Sequence, residues 1–565
     1  PSLEAIVDGV IDEIAAAQGP DGYLNTYFMF ERAKDRWTNL QDMHELYCSG
    51  HLMQAAVAHH RATGKTSLLD VATRLADHIC TVFGSAGRPG TPGHEEVEMA
   101  LVELYRTTGE RRYLDQAIRF IDLRGSKPPL IGGSEYHQDH APLREQREIV
   151  GHAVRAVYLN CGAADVVSES GDKALLEALG KLWINMTQRR MYITGGLGAR
   201  YEGEAFGRDY ELPNDRAYAE TCAAIGSIMW CWRMLALDGE GRYADLMETT
   251  LYNGMLAGLS LDGKSYFYQN PLADNGHHRR EGWFGCACCP PNVARMLASL
   301  PGYFYSVSEG AAWVHLYAAG QADLDIPEGG ALRIEQHADY PWSGDIDIEI
   351  LAAPDVAISI CLRIPGWCKD QSLKINGAAI NELQVRSGYI HVKREWKAGD
   401  HITLQLEMPV ELMESHPALS NNRGQVALCR GPLVYCLEGV DHPGKDLSEV
   451  RLLPSSAMSV ETSGIGDHEI VALLTEGVLV SPQGWGNSLY RAAEGRVDAG
   501  DHEVPLDEEE STGSRPVNLR AIPYYAWANR EAGMMRVWLP LANGTSPAEF
   551  YTHDRRGDVP ERNRS

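Results

Sequence analysis

The feature that most constrains this chain is a change of apolar rhythm near residue 307. Before it, apolar residues recur with a period of about 3.6, the mark of helices with one buried face. The helices come in pairs. Residues 52–60 and 68–82 are joined by Arg61-Ala-Thr-Gly-Lys, and residues 97–105 and 113–123 by Arg106-Thr-Thr-Gly-Glu. Residues 150–167 with 174–186, and 222–237 with 243–256, repeat the plan. In each pair a glycine ends or follows the first helix, and a Leu, Tyr or Ala stripe opens the second. Such hairpins cannot bury their apolar faces alone and must stack on neighbours, so about ten helices form either a solenoid or a closed ring.

After residue 307 the period becomes two. Ala312-Trp-Val-His-Leu-Tyr, Ile346-Asp-Ile-Glu-Ile, Ala357-Ile-Ser-Ile-Cys-Leu-Arg-Ile and His401-Ile-Thr-Leu-Gln-Leu alternate as strands do, with turn signals such as Pro365-Gly366 between them. A second run starts at Gln425-Val-Ala-Leu-Cys and ends at Met535-Arg-Val-Trp-Leu. Spaced antiparallel strands of this kind suggest two β-sandwiches. The expected division is a helical unit over 1–306, β-sandwiches over 307–416 and 417–545, and a polar tail over 546–565.

Composition narrows the function. The formal charge of −26 argues against a nucleic-acid or anionic-membrane surface, since both need clustered Lys and Arg. No run of about 18 apolar residues is present, so no transmembrane helix is expected. The twelve cysteines are scattered, unlike the dense framework of a small secreted domain. Cys80, Cys161 and Cys231 lie in apolar helical patterns and read as small core residues. Residues 1–18 read as an amphipathic helix with acidic positions rather than a signal peptide, which makes the cytoplasm the default location. The opening at Pro1 without a methionine points to a missing N-terminal segment, so a removed signal stays open, as does a homodimer.

The sharpest local signal is Cys286-Ala-Cys288-Cys289-Pro290-Pro291-Asn292. Neighbouring cysteines lack the separation an ordinary disulfide needs, but on one loop both reach a single metal ion. The prolines suit a helix start, and residues 293–300 continue as a helix, whose N-terminus favours a thiolate. Inert buried thiols are the alternative. Glu220-Thr221-Cys222 offers a carboxylate and a thiol that reach one ion only at a helix start, and with the other sulfurs it makes a set acceptable to zinc. Alone, it reads as a surface Glu beside a core Cys. The glycine-rich stretch from Thr194 to Gly203 lacks the strand-then-helix frame and the Lys-Ser/Thr of a phosphate loop, and is read as a flexible loop carrying Glu204 over a pocket. His44, His94 and His152 recur at helix starts, where a ring of hairpins turns them to one mouth; singly, each reads as a capping or core histidine.

In combination these motifs resemble glycoside hydrolase family 127. The resemblance rests on Asp21-Gly-Tyr-Leu-Asn-Thr-Tyr, His44-Glu-Leu-Tyr, Gly93-His-Glu-Glu, Gly151-His-Ala-Val-Arg, Gly195-Gly-Leu-Gly, Leu212-Pro-Asn-Asp, Glu220-Thr-Cys, Cys288-Cys-Pro-Pro-Asn and Ile522-Pro-Tyr-Tyr-Ala-Trp-Ala-Asn-Arg. It spans residues 3 to 543. It implies an (α/α)6 barrel followed by β-sandwich domains, and β-L-arabinofuranosidase activity on a small oligosaccharide or glycoside. It further implies Cys288 as nucleophile, Glu204 as general acid/base, and Glu220, Cys222, Cys288 and Cys289 as zinc ligands. His44, His94, His152 and Tyr268 match sugar-contacting positions. Members of the family carry a longer N-terminal segment, so this chain is expected to begin near the second barrel helix. A sugar epimerase or lyase on the same barrel, or a carbohydrate-binding protein with structural zinc, are the competing readings. The role of Cys286 stays open.

Overall fold

The computed structural model describes residues 2–480, 489–490 and 514–542; the tail expected over 546–565 lies outside them. Ten α-helices occupy the first part of the described chain: α1 (Leu3–Ala17), α2 (Glu45–Thr63), α3 (Ser67–Phe83), α4 (Val97–Thr108), α5 (Arg111–Leu123), α6 (Ala153–Ser170), α7 (Lys173–Arg189), α8 (Thr221–Asp238), α9 (Gly241–Thr249) and α10 (Cys289–Ser299). Their side-chain patterns sort them into two layers. Helix α6 is buried without a break from Ala153 to Val167, and α8 from Thr221 to Cys231. A helix apolar all round belongs inside. Helix α3 buries a single stripe, Leu68, Leu69, Val71, Ala72, Leu75, Ala76, Ile79 and Phe83, as an outer helix does.

The even-numbered helices stand next to one another in order, and α10 returns to α2 through Arg295 Nη1 donating to Gln54 Oε1 at 2.8 Å. The odd-numbered helices pack outside them. This is an (α/α)6-type barrel, of which the described residues supply five inner and five outer helices. Gly64, Gly109, Gly171 and Gly239 end α2, α4, α6 and α8 with φ between +69° and +76°. Each places its N–H on the carbonyl four residues back, a left-handed cap that only glycine adopts freely. The inner helices therefore all start at one end of the barrel and stop at the other.

Two differences from the sequence reading matter. Helix α2 starts seven residues before the apolar period shows, because Tyr47 and His51 on its first turns face a cavity and break the pattern. Helix α10 begins at Cys289, so that thiol opens the helix rather than preceding it, with Pro290 and Pro291 in the first turn as their composition suggests.

The first β unit is a sandwich. A five-stranded sheet runs Val385–Arg386, Tyr389–Arg394, Ile358–Arg363, Ala311–Val314, Tyr305–Ser308. A six-stranded sheet runs Gly320–Ile326, Gly330–Ala338, Asp345–Ala352, His401–Leu406, Gln371–Ile375, Ala378–Ala379. Between them lies a core with Ile346, Ile348, Ile350, Ile358, Ile360 and Leu404, the inward residues of alternating strands. All pairs are antiparallel except Ala311–Val314 with Ile358–Arg363. The second β unit is one branched ten-stranded sheet. Gln425–Arg430 and Leu433–Glu438 each pair with three strands, exchanging partners along their length. Its edge strand, Ala273–Asn275, comes from the helical part and pairs with Met534–Arg536. The run 535–539, read as one strand, is two, divided at Val537, whose N–H bonds Leu272 instead of the ladder.

Candidate active site

Because the inner helices share one direction, their N-termini surround one cavity of about 630 Å³. It is lined by His44 and Tyr47 from the start of α2, His94 before α4, His152 and Arg155 at the start of α6, Glu220 and Cys222 at the start of α8, and Cys288 and Asn292 at the start of α10. Helix N-termini carry unpaired N–H groups and partial positive charge, so this mouth favours thiolate and carboxylate.

Glu220 is the residue before α8 and Cys222 its second residue, which puts both at a helix start as the Glu-x-Cys spacing requires. Cys288 precedes α10 and Cys289 opens it. The four ligand atoms lie within 4.8 Å of one another. Sulfur separations are 3.3 Å for Cys222–Cys289 and 3.9 Å for Cys288–Cys289, and Glu220 Oε1 is 3.6 Å from Cys288 and 3.8 Å from Cys289. Cys222 and Cys289 are buried, whereas Cys288 is half-exposed to the cavity and takes the Tyr268 hydroxyl at 3.0 Å. Burial pushes the Cys222, Cys289 and Glu220 groups up, while hydrogen bonds from Cys222, Cys289 and Tyr268 pull the Cys288 thiol far down.

Three thiols and a buried carboxylate cannot all ionise together without a cation. Glu220 Oε2 is buried without a hydrogen-bond partner. Three sulfurs and one oxygen are a tetrahedral donor set for a divalent metal. The residues present therefore fit a metal ion on both counts.

Glu204 lies across from Glu220; these two and His152 bring their ligand atoms within 4.8 Å. His152 Nε2 stands 3.1 Å from Glu204. Its Nδ1 accepts the Arg155 N–H as the cap of α6, so Nε2 carries the proton and donates it to the carboxylate. One histidine thus caps a helix and holds a cavity carboxylate. The His152 hydrogen bond, aided by Tyr218, holds the Glu204 carboxyl below its usual range. Glu204 and Ala219 both have positive φ, +51° and +39°. Left-handed non-glycine residues are strained and collect at functional sites. The glycine-rich loop, read as flexible, is tied down: Ala205 exchanges hydrogen bonds with Arg200, Phe206 N–H bonds Gly151, and Ala219 N–H bonds Gly198.

The rings of His44, His94 and His152 follow one another at centroid distances of 5.6 and 5.5 Å, with Tyr47 4.3 Å from His94 and Tyr136 5.7 Å from His152. Burial pushes all three histidines down, so they are neutral at the cavity wall. Every site residue named from the sequence lines this cavity or, for Cys289, adjoins it. Cys286 also lines it. Tyr47, His51, Tyr136, Arg155, Asn292 and Arg295 went unassigned. Tyr47, Arg155 and Asn292 sit inside quoted motifs, three residues after His44, His152 and Cys289, and helical spacing could have found them. Tyr136 lies between helices and carries no such signal.

A helical barrel with three thiols and two carboxylates gathered at its inner-helix starts, followed by two β units, defines a multidomain protein of the α/α-barrel class. The chain belongs to glycoside hydrolase family 127. Residues 1–302 match the model described as the β-L-arabinofuranosidase GH127 catalytic domain, residues 311–408 the GH127 middle domain, and residues 410–540 the family's C-terminal domain. The chain is 37% identical to a non-reducing end β-L-arabinofuranosidase of Bifidobacterium longum over 95% of its own length and 85% of the relative's. It superposes with a TM-score of 0.89 on the crystal structure of a GH127 β-L-arabinofuranosidase from Geobacillus stearothermophilus, 41% identical, covering 96% of this chain and 87% of that one. A second GH127 β-arabinofuranosidase structure, 38% identical, gives a TM-score of 0.86 over 96% of this chain and 85% of the other. The protein is a glycosidase, and none of its described helices is long and apolar enough to cross a membrane.

Proposed function

We propose that this glycosidase releases β-L-arabinofuranose from the non-reducing end of its substrate with retention of configuration. Cys288 is the nucleophile, Glu204 the acid/base, and Glu220, Cys222, Cys288 and Cys289 hold zinc. The observation that carries the reading is Cys288, half-exposed to the cavity beside Glu220, which lies within 4.8 Å of Glu204, while the other two sulfurs are buried. The sugar follows from the relatives' activity.

The reactive protonation state has a thiolate at Cys288 and a proton on Glu204, the minor form of a carboxyl that His152 otherwise keeps ionised. Sulfur attacks the anomeric carbon, the glycosidic C–O bond breaks, and the leaving oxygen takes the Glu204 proton. Glu204, now ionised and held so by His152, accepts a proton from water as that water attacks the same carbon and displaces the sulfur. This is the two-step retaining scheme with sulfur as nucleophile. Zinc, when bound, supplies thiolate at neutral pH. His44, His94, His152 and Tyr268 contact the sugar hydroxyls.

The test is a panel of aryl glycosides followed by proton NMR of the first-formed sugar, with peptide mass spectrometry after a mechanism-based sugar electrophile. The expected result is cleavage of the β-L-arabinofuranoside, retained configuration, and label on Cys288. An inverted product, or label on Glu204, rejects the mechanism; cleavage of a different sugar rejects the substrate.

A further inference from the structure

Behind the four-ligand cluster runs a chain of hydrogen bonds whose direction can be read without ambiguity. Arg295 Nη2 is 2.9 Å from Tyr158 Oη, Tyr158 Oη is 3.2 Å from Asn292 Oδ1, and Asn292 Nδ2 is 3.1 Å from Cys222 Sγ. A guanidinium is always a donor and never an acceptor. Tyr158 therefore accepts from Arg295 and has its own proton left for Asn292. That proton requires an acceptor, so the Asn292 carbonyl oxygen faces Tyr158 and its amide nitrogen faces Cys222. The sulfur at the end of the chain must accept. Arg295 is itself anchored on Gln54 Oε1 at 2.8 Å, in the middle of α2, and on Glu96 Oε1 at 3.5 Å, just before α4, so the donor end is held from two other inner helices.

The three sulfurs differ in this respect. Cys222 takes an amide N–H, Cys288 takes the Tyr268 hydroxyl, and the polar neighbours of Cys289 are Cys222, Cys288 and Glu220. The Asn292 side chain is buried and its amide is given to Cys222, while its backbone N–H bonds the carbonyl of the half-exposed Cys288. A thiolate accepts an N–H far better than a neutral thiol does, and outer-shell donors to metal ligands fix their orientation and tune their hold on the ion.

We propose that Asn292 is a positioning residue for Cys222: driven by Arg295 through Tyr158, it keeps that sulfur an oriented acceptor, so that the metal stays anchored while Cys288 is engaged with sugar. This rests on the metal reading of the site. It assigns distinct duties to the buried sulfur Cys222 and the accessible sulfur Cys288, and it makes Tyr158 and Arg295 part of the metal's support although neither is a ligand.

The test uses the full chain loaded with zinc, with metal release followed in an excess of a coloured chelator, and the same proteins loaded with cobalt(II) for their sulfur-to-metal absorption. Asn292→Leu should release zinc about 10-fold faster, the low end of the roughly 10–100-fold effect of outer-shell changes on metal affinity, and Tyr158→Phe, one hydrogen bond further from the ion, should release it faster than wild type but less so than Asn292→Leu. Asn292→Asp should exceed both, because a carboxylate oxygen then faces the sulfur. The cobalt absorption should move in all three, a signature that mere loosening of the fold would not produce in Tyr158→Phe. Wild-type release rates and spectra in folded Asn292→Leu and Tyr158→Phe would overturn the proposal. Failure of the wild-type chain to retain any metal would instead reject the metal reading on which it stands.

Discussion

The cavity at the barrel mouth and the junction between the barrel and the first β unit both bury charge, in opposite ways. At the junction Arg363 is fully buried on its strand and pairs with Asp245 at 2.7 Å and with Glu248, both of α9. Glu248 also takes the Tyr340 hydroxyl at 2.6 Å on one oxygen and the Trp367 N–H at 3.3 Å on the other. Tyr317 donates to the Arg363 carbonyl. Charges and lone pairs there are answered by protein. At the mouth, Glu220 Oε2 has no hydrogen-bond partner, Arg155 Nε and Nη1 have none, and three thiols crowd one carboxylate. Buried polar groups are normally paired. A complete cluster locks two units together, while an incomplete one is left for what the protein binds.

Substitutions can break this contrast. The largest effect is expected at the mouth: Cys288→Ser should lower turnover about 1000-fold or more, since a serine hydroxyl is a far weaker nucleophile at neutral pH. Arg363→Met should leave turnover per folded molecule unchanged. Steady-state rates on one aryl glycoside compare the two, and a Cys288→Ser enzyme keeping a tenth of its activity would dissolve the distinction.

Stability should respond the other way. Removing one partner of a buried ion pair costs about 3–5 kcal/mol, so Arg363→Met should destabilise by that much in urea unfolding. Glu248 is left buried with its charge uncompensated. A loss under about 1 kcal/mol would show that the junction is not the lock its pairing suggests.

The last effect concerns the buried carboxylates at the start of α4. Glu95 and Glu96 are fully buried, and burial pushes both up to about 8 from 4.5, against the opposing charges of Arg124 and Arg295. Glu98 is raised as well, and His51, 3.2 Å from Glu96, is pushed down to about 3 and is neutral. A folded pKa above the unfolded one contributes stability that is complete below about 4.5 and is lost as pH rises through about 8. The urea midpoint should therefore fall between pH 5 and pH 8.5, and Glu96→Gln should flatten the fall. A midpoint independent of pH in the wild type would mean that the two arginines keep these carboxylates ionised throughout.

The parts of this protein legible in the sequence are those encoded by neighbours along the chain. The helical hairpins show because apolar spacing and a closing glycine such as Gly64 or Gly171 are local, and the strands at 346–350 and 401–406 because alternation is local too. Cys288-Cys289-Pro-Pro suggests a helix start by its prolines, Glu220-Thr-Cys222 alone reads as a surface Glu beside a core Cys, and their combination with the histidine motifs carried the resemblance to the family. The tertiary structure decided the rest. That the inner-helix starts face one cavity depends on ring closure, which no single hairpin specifies. His51 and Tyr47 join the site because α2 begins earlier than its apolar stripe, and residues that face a cavity erase the period that would reveal them. Tyr136 enters from a connecting segment with no period at all. Val537 divides a strand because a carbonyl 265 positions away competes for its N–H. The direction of the Arg295–Tyr158–Asn292–Cys222 chain needs four residues from three helices within hydrogen-bond reach, and a one-dimensional pattern carries no such distances.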